Sequence, residues 1–299
     1  MNKVSQTIVT NELKLLFFIG LTSSIIFFFG YLITEIFNFG MLGIYGTIIA
    51  MVLMNLFTYF FSKSIVLKSQ KAVPMTEKDY PEFFNMVKNM CEKNNIKMPE
   101  LYYINNSSLN AFATGRSQND AAVVVTSGLL KKVPLDEISG VIGHELSHIV
   151  HKDILITSFI SVMIGTITIF ASAVRTSSMY RTSDRRNSED NSNVLLIVGL
   201  IAAMIAPIVG MIIKMAVSRS REYMADASGG QICGNPKLLA KALYRISHEG
   251  SELPTANEAT APLYIANPIK TSLFKKLLST HPDINDRIQR LENMEINSL

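Results

Sequence analysis

Residues Ile138-Ser139-Gly140-Val141-Ile142-Gly143-His144-Glu145-Leu146-Ser147-His148-Ile149-Val150 place two histidines four positions apart, with a glutamate directly after the first. Pro134 opens a helix here, no proline interrupts Val141 to Asp153, and Ile138, Val141, Ile142 and Ile149 fall largely on one side. Gly140 and Gly143 lower the helical propensity without forbidding it. On a helix, a four-residue step puts both imidazoles on one face, one turn apart, so two neutral ring nitrogens can hold one metal ion. Glu145 is turned by about 100° from His144, beside that ion, where its carboxylate can take a proton from water. The chemistry this suits is peptide-bond hydrolysis. The plainer reading, two histidines on a polar surface, sits badly with Val141, Ile142, Ile149 and Val150, because unpaired imidazoles near a core need partners.

A catalytic zinc needs a third protein ligand and an open fourth position. Glu222 is the candidate. It begins Glu222-Tyr223-Met224-Ala225-Asp226, in which Asp226 lies one turn on and can accept a hydrogen bond from the second nitrogen of a ligand histidine. His151 follows His148 by three residues, but it is about two turns from His144, too far to converge on one tetrahedral ion. It is expected at the surface or facing headgroups.

The 299 residues are 48% hydrophobic and only 17% charged, which favours a chain partly in lipid. Four stretches are nearly free of charge: Leu15 to Thr34, Phe37 to Ser62, Ile154 to Val174, and Val194 to Val217. Each has roughly the 20 residues a spanning helix needs, and Lys214, their one charge, is near enough to an end to snorkel. The first is too long for a cleaved signal and is expected to remain as an anchor. Lys63, Lys68 and Lys71 after the second stretch, with Lys3 and Lys14 before the first, put the following segment in the cytoplasm. The loop with Arg175, Arg181, Arg185 and Arg186 then falls outside, mildly against the same rule.

These boundaries divide the chain into an N-terminal membrane hairpin (1–62), a first catalytic part (63–153), a second membrane hairpin (154–218) and a second catalytic part (219–299). The second hairpin returns the chain to the face it left, so His148 and Glu222 emerge together. Helices are expected over Asp79 to Glu92, from Pro236 behind an Asn235 cap to Glu249, and over Ile284 to Asn293. Glu100 to Ile104 and Ala121 to Thr126 read as strands, and Ser251 to Pro268 as a mobile loop. The net charge of +4 and the lack of a basic run interleaved with aromatics argue against nucleic acid. Cys91 and Cys233 have neither disulfide nor thiolate-zinc spacing.

Together, the two N-terminal spans, Asn110-Ala-Phe-Ala-Thr-Gly115, the HELSH helix, the second hairpin, Arg221-Glu-Tyr-Met-Ala-Asp226 and Thr280-His-Pro282 closely resemble the HtpX-type membrane zinc metalloproteases. More distantly, the chain is similar to the prenyl-protein (CAAX) proteases of the same peptidase family. The resemblance implies one Zn(2+) per chain on His144, His148 and Glu222, Glu145 as general base and acid, and Asp226 behind a ligand. It implies that Asn110 to Gly115 and Ala121 to Thr126 form an edge strand that pairs with extended substrate, through residues such as Asn110, Ala111, Phe112, Ala121 and Val123. His281 becomes a candidate electrophile for the oxyanion, its other reading being a helix-leading histidine before Pro282. The implied task is cleavage of misfolded or damaged membrane proteins at the cytoplasmic face of the cell membrane.

The expected fold is therefore a mostly α integral membrane protein, with four transmembrane helices and a small α+β zincin-like metallopeptidase domain. Two other readings are an intramembrane protease and a non-catalytic membrane scaffold. Lys131, Lys132, Lys152 and Asp153 flank the HExxH helix and weaken the first, since they make its surroundings interfacial. Glu145 and Glu222 at usable spacing weaken the second. A transporter would show polar, broken helices at mid-span.

Overall fold

The computed structural model describes residues 3–36, 38–165, 219–251, 253–257, 259–268 and 282–295. Two long helices come first, α1 (Lys3–Ile36) and α2 (Gly40–Ser69). Their apolar windows, Asn11–Phe28 and Gly40–Ser69, have mean hydropathies of 1.5 and 1.8, and among the described residues these are the two helices long and apolar enough to cross a membrane. Leu16, Phe17, Leu42, Leu53 and Phe57 stay exposed, as side chains facing lipid do. Between the helices, Asn55 donates to Ser23 Oγ at 3.1 Å.

Helix α2 runs past Ser62 without a break to Ser69, and the extension buries Val66 and Leu67 against Phe112, Val124 and Tyr264. The second apolar helix thus docks directly on a sheet. That sheet contains β1 (Val73–Pro74), β2 (Glu100–Ile104), β3 (Ala111–Ser117) and β4 (Asp120–Thr126) in the order β1-β2-β4-β3. β4 pairs parallel to β2 and antiparallel to β3. Alternation sends Ala111, Ala113, Ala121, Val123 and Val125 into the helical core and Phe112, Ala122 and Val124 toward α2. At the hairpin end, Gly115 has φ +140°, and a Cβ there would lie 2.1 Å from the Asp120 carbonyl oxygen.

The helical layer consists of α3 (Pro81–Lys93), α4 (Ser127–Lys132), α5 (Leu135–Val150), α6 (Asp153–Gly165), α7 (Arg219–Cys233), α8 (Pro236–Glu249) and α9 (Ile284–Glu292). Local chemistry sets several of their starts. The Asn235 side chain accepts from Lys237 N at 3.1 Å with Pro236 in the first turn, and Asp283 accepts from Asn285 N at 2.8 Å. α8 buries Leu239, Ala242, Leu243 and Ile246. Helices α5 and α6 meet at 86°, and Lys152 makes the corner with φ 59°.

Several expectations need correction or lie outside these residues. Within the stretch from Ser251 to Pro268, expected as a mobile loop, Leu253, Tyr264 and Ile265 are instead buried, and the Tyr264 hydroxyl donates to Gln70 Oε1 at 2.6 Å. Of the third apolar stretch, the part in α6 packs Ile156, Ile160 and Ile164 against Phe18 of α1. Its remainder, the whole fourth stretch and the loop around Arg175 to Asn193 fall outside the described residues.

Candidate active site

Helix α5 supplies His144, Glu145 and His148, and α7 supplies Glu222 and Asp226. The two helices touch backbone to backbone: a Cβ on Gly229 would lie 2.6 Å from His144 N, and one on Gly143 would lie 2.4 Å from the Gly229 oxygen. Gly229→Ala must push them apart, so it is expected to cost about 1–3 kcal/mol and to lower the thermal midpoint by several degrees. A midpoint unchanged in a melting scan would contradict this close crossing.

The crossing brings ligand-type atoms together. His144 Nε2 and His148 Nε2 are 3.2 Å apart, and the Glu222 carboxylate lies 3.9 Å from the first and 3.7 Å from the second. One donor atom from each residue fits within a 4.8 Å cluster. The other ring nitrogens are already engaged: His144 Nδ1 lies 2.9 Å from Asp226 Oδ1, and His148 Nδ1 lies 3.0 Å from Asp153 Oδ2. A carboxylate only accepts, so it fixes the proton on each Nδ1 and turns each Nε2 lone pair toward the other. Two ring nitrogens and a carboxylate oxygen converging in a buried space favour a positive charge between them, either a proton or a metal ion. The residues present therefore fit a metal cation.

The ionisation tendencies show the same pull toward positive charge, which a proton on His148 also meets. Burial opposes charge on His148, but the hydrogen bond to Asp153 and the Glu222 charge outweigh it and lift the imidazole to about 9. Burial lowers His144 despite its bond to Asp226. Glu145 is 1% exposed, and its Oε1 has no hydrogen-bond partner among the described residues. Burial pushes this carboxyl up to about 7, against the pull of His148 and a hydrogen bond from the Ala113 N–H. Such a group is poised to exchange a proton near neutrality.

Two residues beside the cluster escaped the sequence reading. Asp153, which the sequence marks as an interfacial flanking charge, is 2% exposed and holds His148. Arg287 is 1% exposed and forks onto Asp226 at 2.9 and 2.7 Å, donates to the Ile265 carbonyl at 3.0 Å, and lies 3.9 Å from Glu222. Its signal was an arginine on the stripe Ile284, Ile288 and Leu291, where an apolar residue belongs. His151 also needs correction, since it is buried and its Nδ1 lies 3.1 Å from Ser147 Oγ.

The substrate-strand expectation changes too. β4 has neighbours along both edges, so Ala121 and Val123 are core residues with no free backbone to offer. Among the described residues β3 is an outer strand of the sheet, but the chain partly covers it: Ile265 N donates to Ala111 O at 3.0 Å, and Asn110 donates to Ala266 O at 2.9 Å. Farther along, the Gly115 N–H reaches Ser158 Oγ at 3.3 Å. Phe112 is fully buried against Tyr264. Pro262, Tyr264 and Thr157 help wall the narrow pocket that contains His144, Glu145, His148 and Glu222. His281 lies outside the described residues.

A comparison with known families gives the site its context. The sequence profile of peptidase family M48 matches residues 77–295. The chain belongs to this family. Among curated relatives, the Protease HtpX homolog of Dictyoglomus turgidum (strain DSM 6724 / Z-1310) is 37% identical over 289 residues, covering 97% of this chain and 94% of the relative. That of Thermodesulfovibrio yellowstonii (strain ATCC 51303 / DSM 11347 / YP87) is 40% identical over 242 residues, covering 81% and 85%. The crystal structure of S. mikatae Ste24p aligns with a TM-score of 0.48 at 19% identity, covering 97% of this chain and 66% of that one. The HtpX resemblance read from the motifs thus holds across nearly the whole chain, and this M48 peptidase is a membrane metalloprotease.

Proposed function

We propose that this M48 peptidase holds one zinc ion on His144 Nε2, His148 Nε2 and a Glu222 oxygen, and that it hydrolyses peptide bonds in misfolded or damaged proteins, membrane proteins among them. The supporting observation is the pair of Nε2 atoms 3.2 Å apart, each with its Nδ1 fixed by a carboxylate. Two imidazoles and one carboxylate suit zinc among the common divalent ions. When bound, zinc supplies Lewis-acid polarisation of the scissile carbonyl and lowers the pKa of water in its coordination sphere.

The rest of the mechanism belongs to the chain. Glu145 takes the proton from the attacking water and returns it to the leaving amine. Asp226 and Asp153 hold the tautomers of His144 and His148, and Arg287 keeps Asp226 charged and in place. His281 is retained as a candidate donor to the oxyanion. In a membrane, we assign four spans, with the catalytic parts at the cytoplasmic face of the plasma membrane, on the basis of Lys63, Lys68 and Lys71. The contact between Asp153 and Arg221 at 3.4 Å supports a hairpin over 154–218, because both its ends meet there.

The test is cleavage of an unfolded model protein by the detergent-purified enzyme. Chelation is expected to abolish cleavage and added zinc to restore it. Full activity in the chelated sample would overturn the zinc reading.

A further inference from the structure

The residue that clamps the corner between the metal helix and α6 comes from neither. Asn11, on α1, is 2% exposed. Its amide nitrogen donates to the His151 carbonyl at 2.9 Å and to Asp153 Oδ1 at 2.7 Å. The first acceptor ends α5 and the second begins α6, and Lys152, in the left-handed region, lies between them. An amide NH2 has two hydrogens and both are used. Asp153 has two oxygens: Oδ1 receives Asn11, with Arg221 at 3.4 Å, and Oδ2 faces His148 Nδ1 at 3.0 Å.

We propose that Asn11 is a positioning residue for the metal centre, by which the first membrane helix fixes Asp153 and, through it, the orientation of His148. Outer partners of a ligand histidine set its ring direction and basicity. Here that outer layer extends into a helix 140 residues away in sequence. The inference rests on His148 being a metal ligand. A neighbouring contact provides a control, because Glu12 pairs with Lys152 at 2.9 Å on the exposed side of the same corner without touching Asp153.

The experiment measures zinc affinity of the full-length, detergent-purified chain by competition with a chromogenic chelator, for Asn11→Leu, Asp153→Ala and the double variant. Asp153→Ala is expected to weaken binding about 10–100-fold and Asn11→Leu, one step farther out, about 3–10-fold. The double variant should bind no more weakly than Asp153→Ala, and Glu12→Gln should match the unaltered protein. Should Asn11→Leu not fold, Asn11→Gln, with its donors one methylene farther out, replaces it in the cycle with the same readings. Unaltered affinity in the Asn11 variant, or losses that multiply in the double variant, would overturn the inference. Unaltered affinity in His148→Ala would instead overturn the ligand assignment beneath it.

Discussion

Glu145→Gln is expected to lower kcat for peptide hydrolysis by about 10²–10⁴-fold while bound metal remains at its original stoichiometry. Glutamine keeps the size and the acceptor for the Ala113 N–H but cannot accept a proton. On the proposed assignment Glu145 is not needed to hold the ion, because His144, His148 and Glu222 offer a three-residue donor set. The pH profile separates the roles further. As the proposed base Glu145 must be ionised to act, and its carboxyl is raised to about 7 by burial, so kcat/KM is expected to fall as pH drops through that value. A cation in the site favours the carboxylate, so the acid limb lies at or below about 7. The residual activity of the glutamine variant should lack this limb. Loss of metal together with activity would show that Glu145 is a ligand instead.

Arg287→Met should give the largest loss of stability, about 3–5 kcal/mol, because it leaves Asp226 as an uncompensated buried charge. Burial works against that carboxylate, yet Arg287 and His144 hold it below the usual range. Adding Asp226→Asn removes the stranded charge and leaves an oxygen that can accept from His144 Nδ1. The double variant is therefore expected to recover much of the loss in denaturant unfolding of the detergent-solubilised protein. A single variant within about 1 kcal/mol of the original, the range of surface ion pairs, would show that the pair contributes little.

What could be read from the sequence was mostly local. Asn235-Pro236 announces α8 because a side-chain acceptor and a fixed φ act within three residues, and the observed helix is Pro236–Glu249. His144 and His148 share a face because both lie on one helix. Glu222 required a topological argument, and the structure brings it to 3.7 and 3.9 Å from their nitrogens. Asp153, Arg287 and Asn11 were less legible, since each acquires its meaning from a partner 5 to 142 positions away. The interior place of β4 was hidden for another reason. Both faces of the sheet are covered, so Ala121 to Thr126 carries no polar alternation to mark a face, and strand order is not written in any one strand. Tyr264 looked like loop because Pro262 and Pro268 surround it, although it fills the space between Phe112 and Gln70.

The contact between Gly143 and Gly229 limits how such a site can be altered. The separation of the ligand-bearing helices is set by having no side chain at the crossing, and the smallest addition, a methyl group, already meets backbone. No graded series of residues exists between hydrogen and methyl with which to widen the space between His144, His148 and Glu222. Size adjustments for another ion or another substrate must come from the walls that α6 and Tyr264 supply, where side chains can be exchanged one carbon at a time.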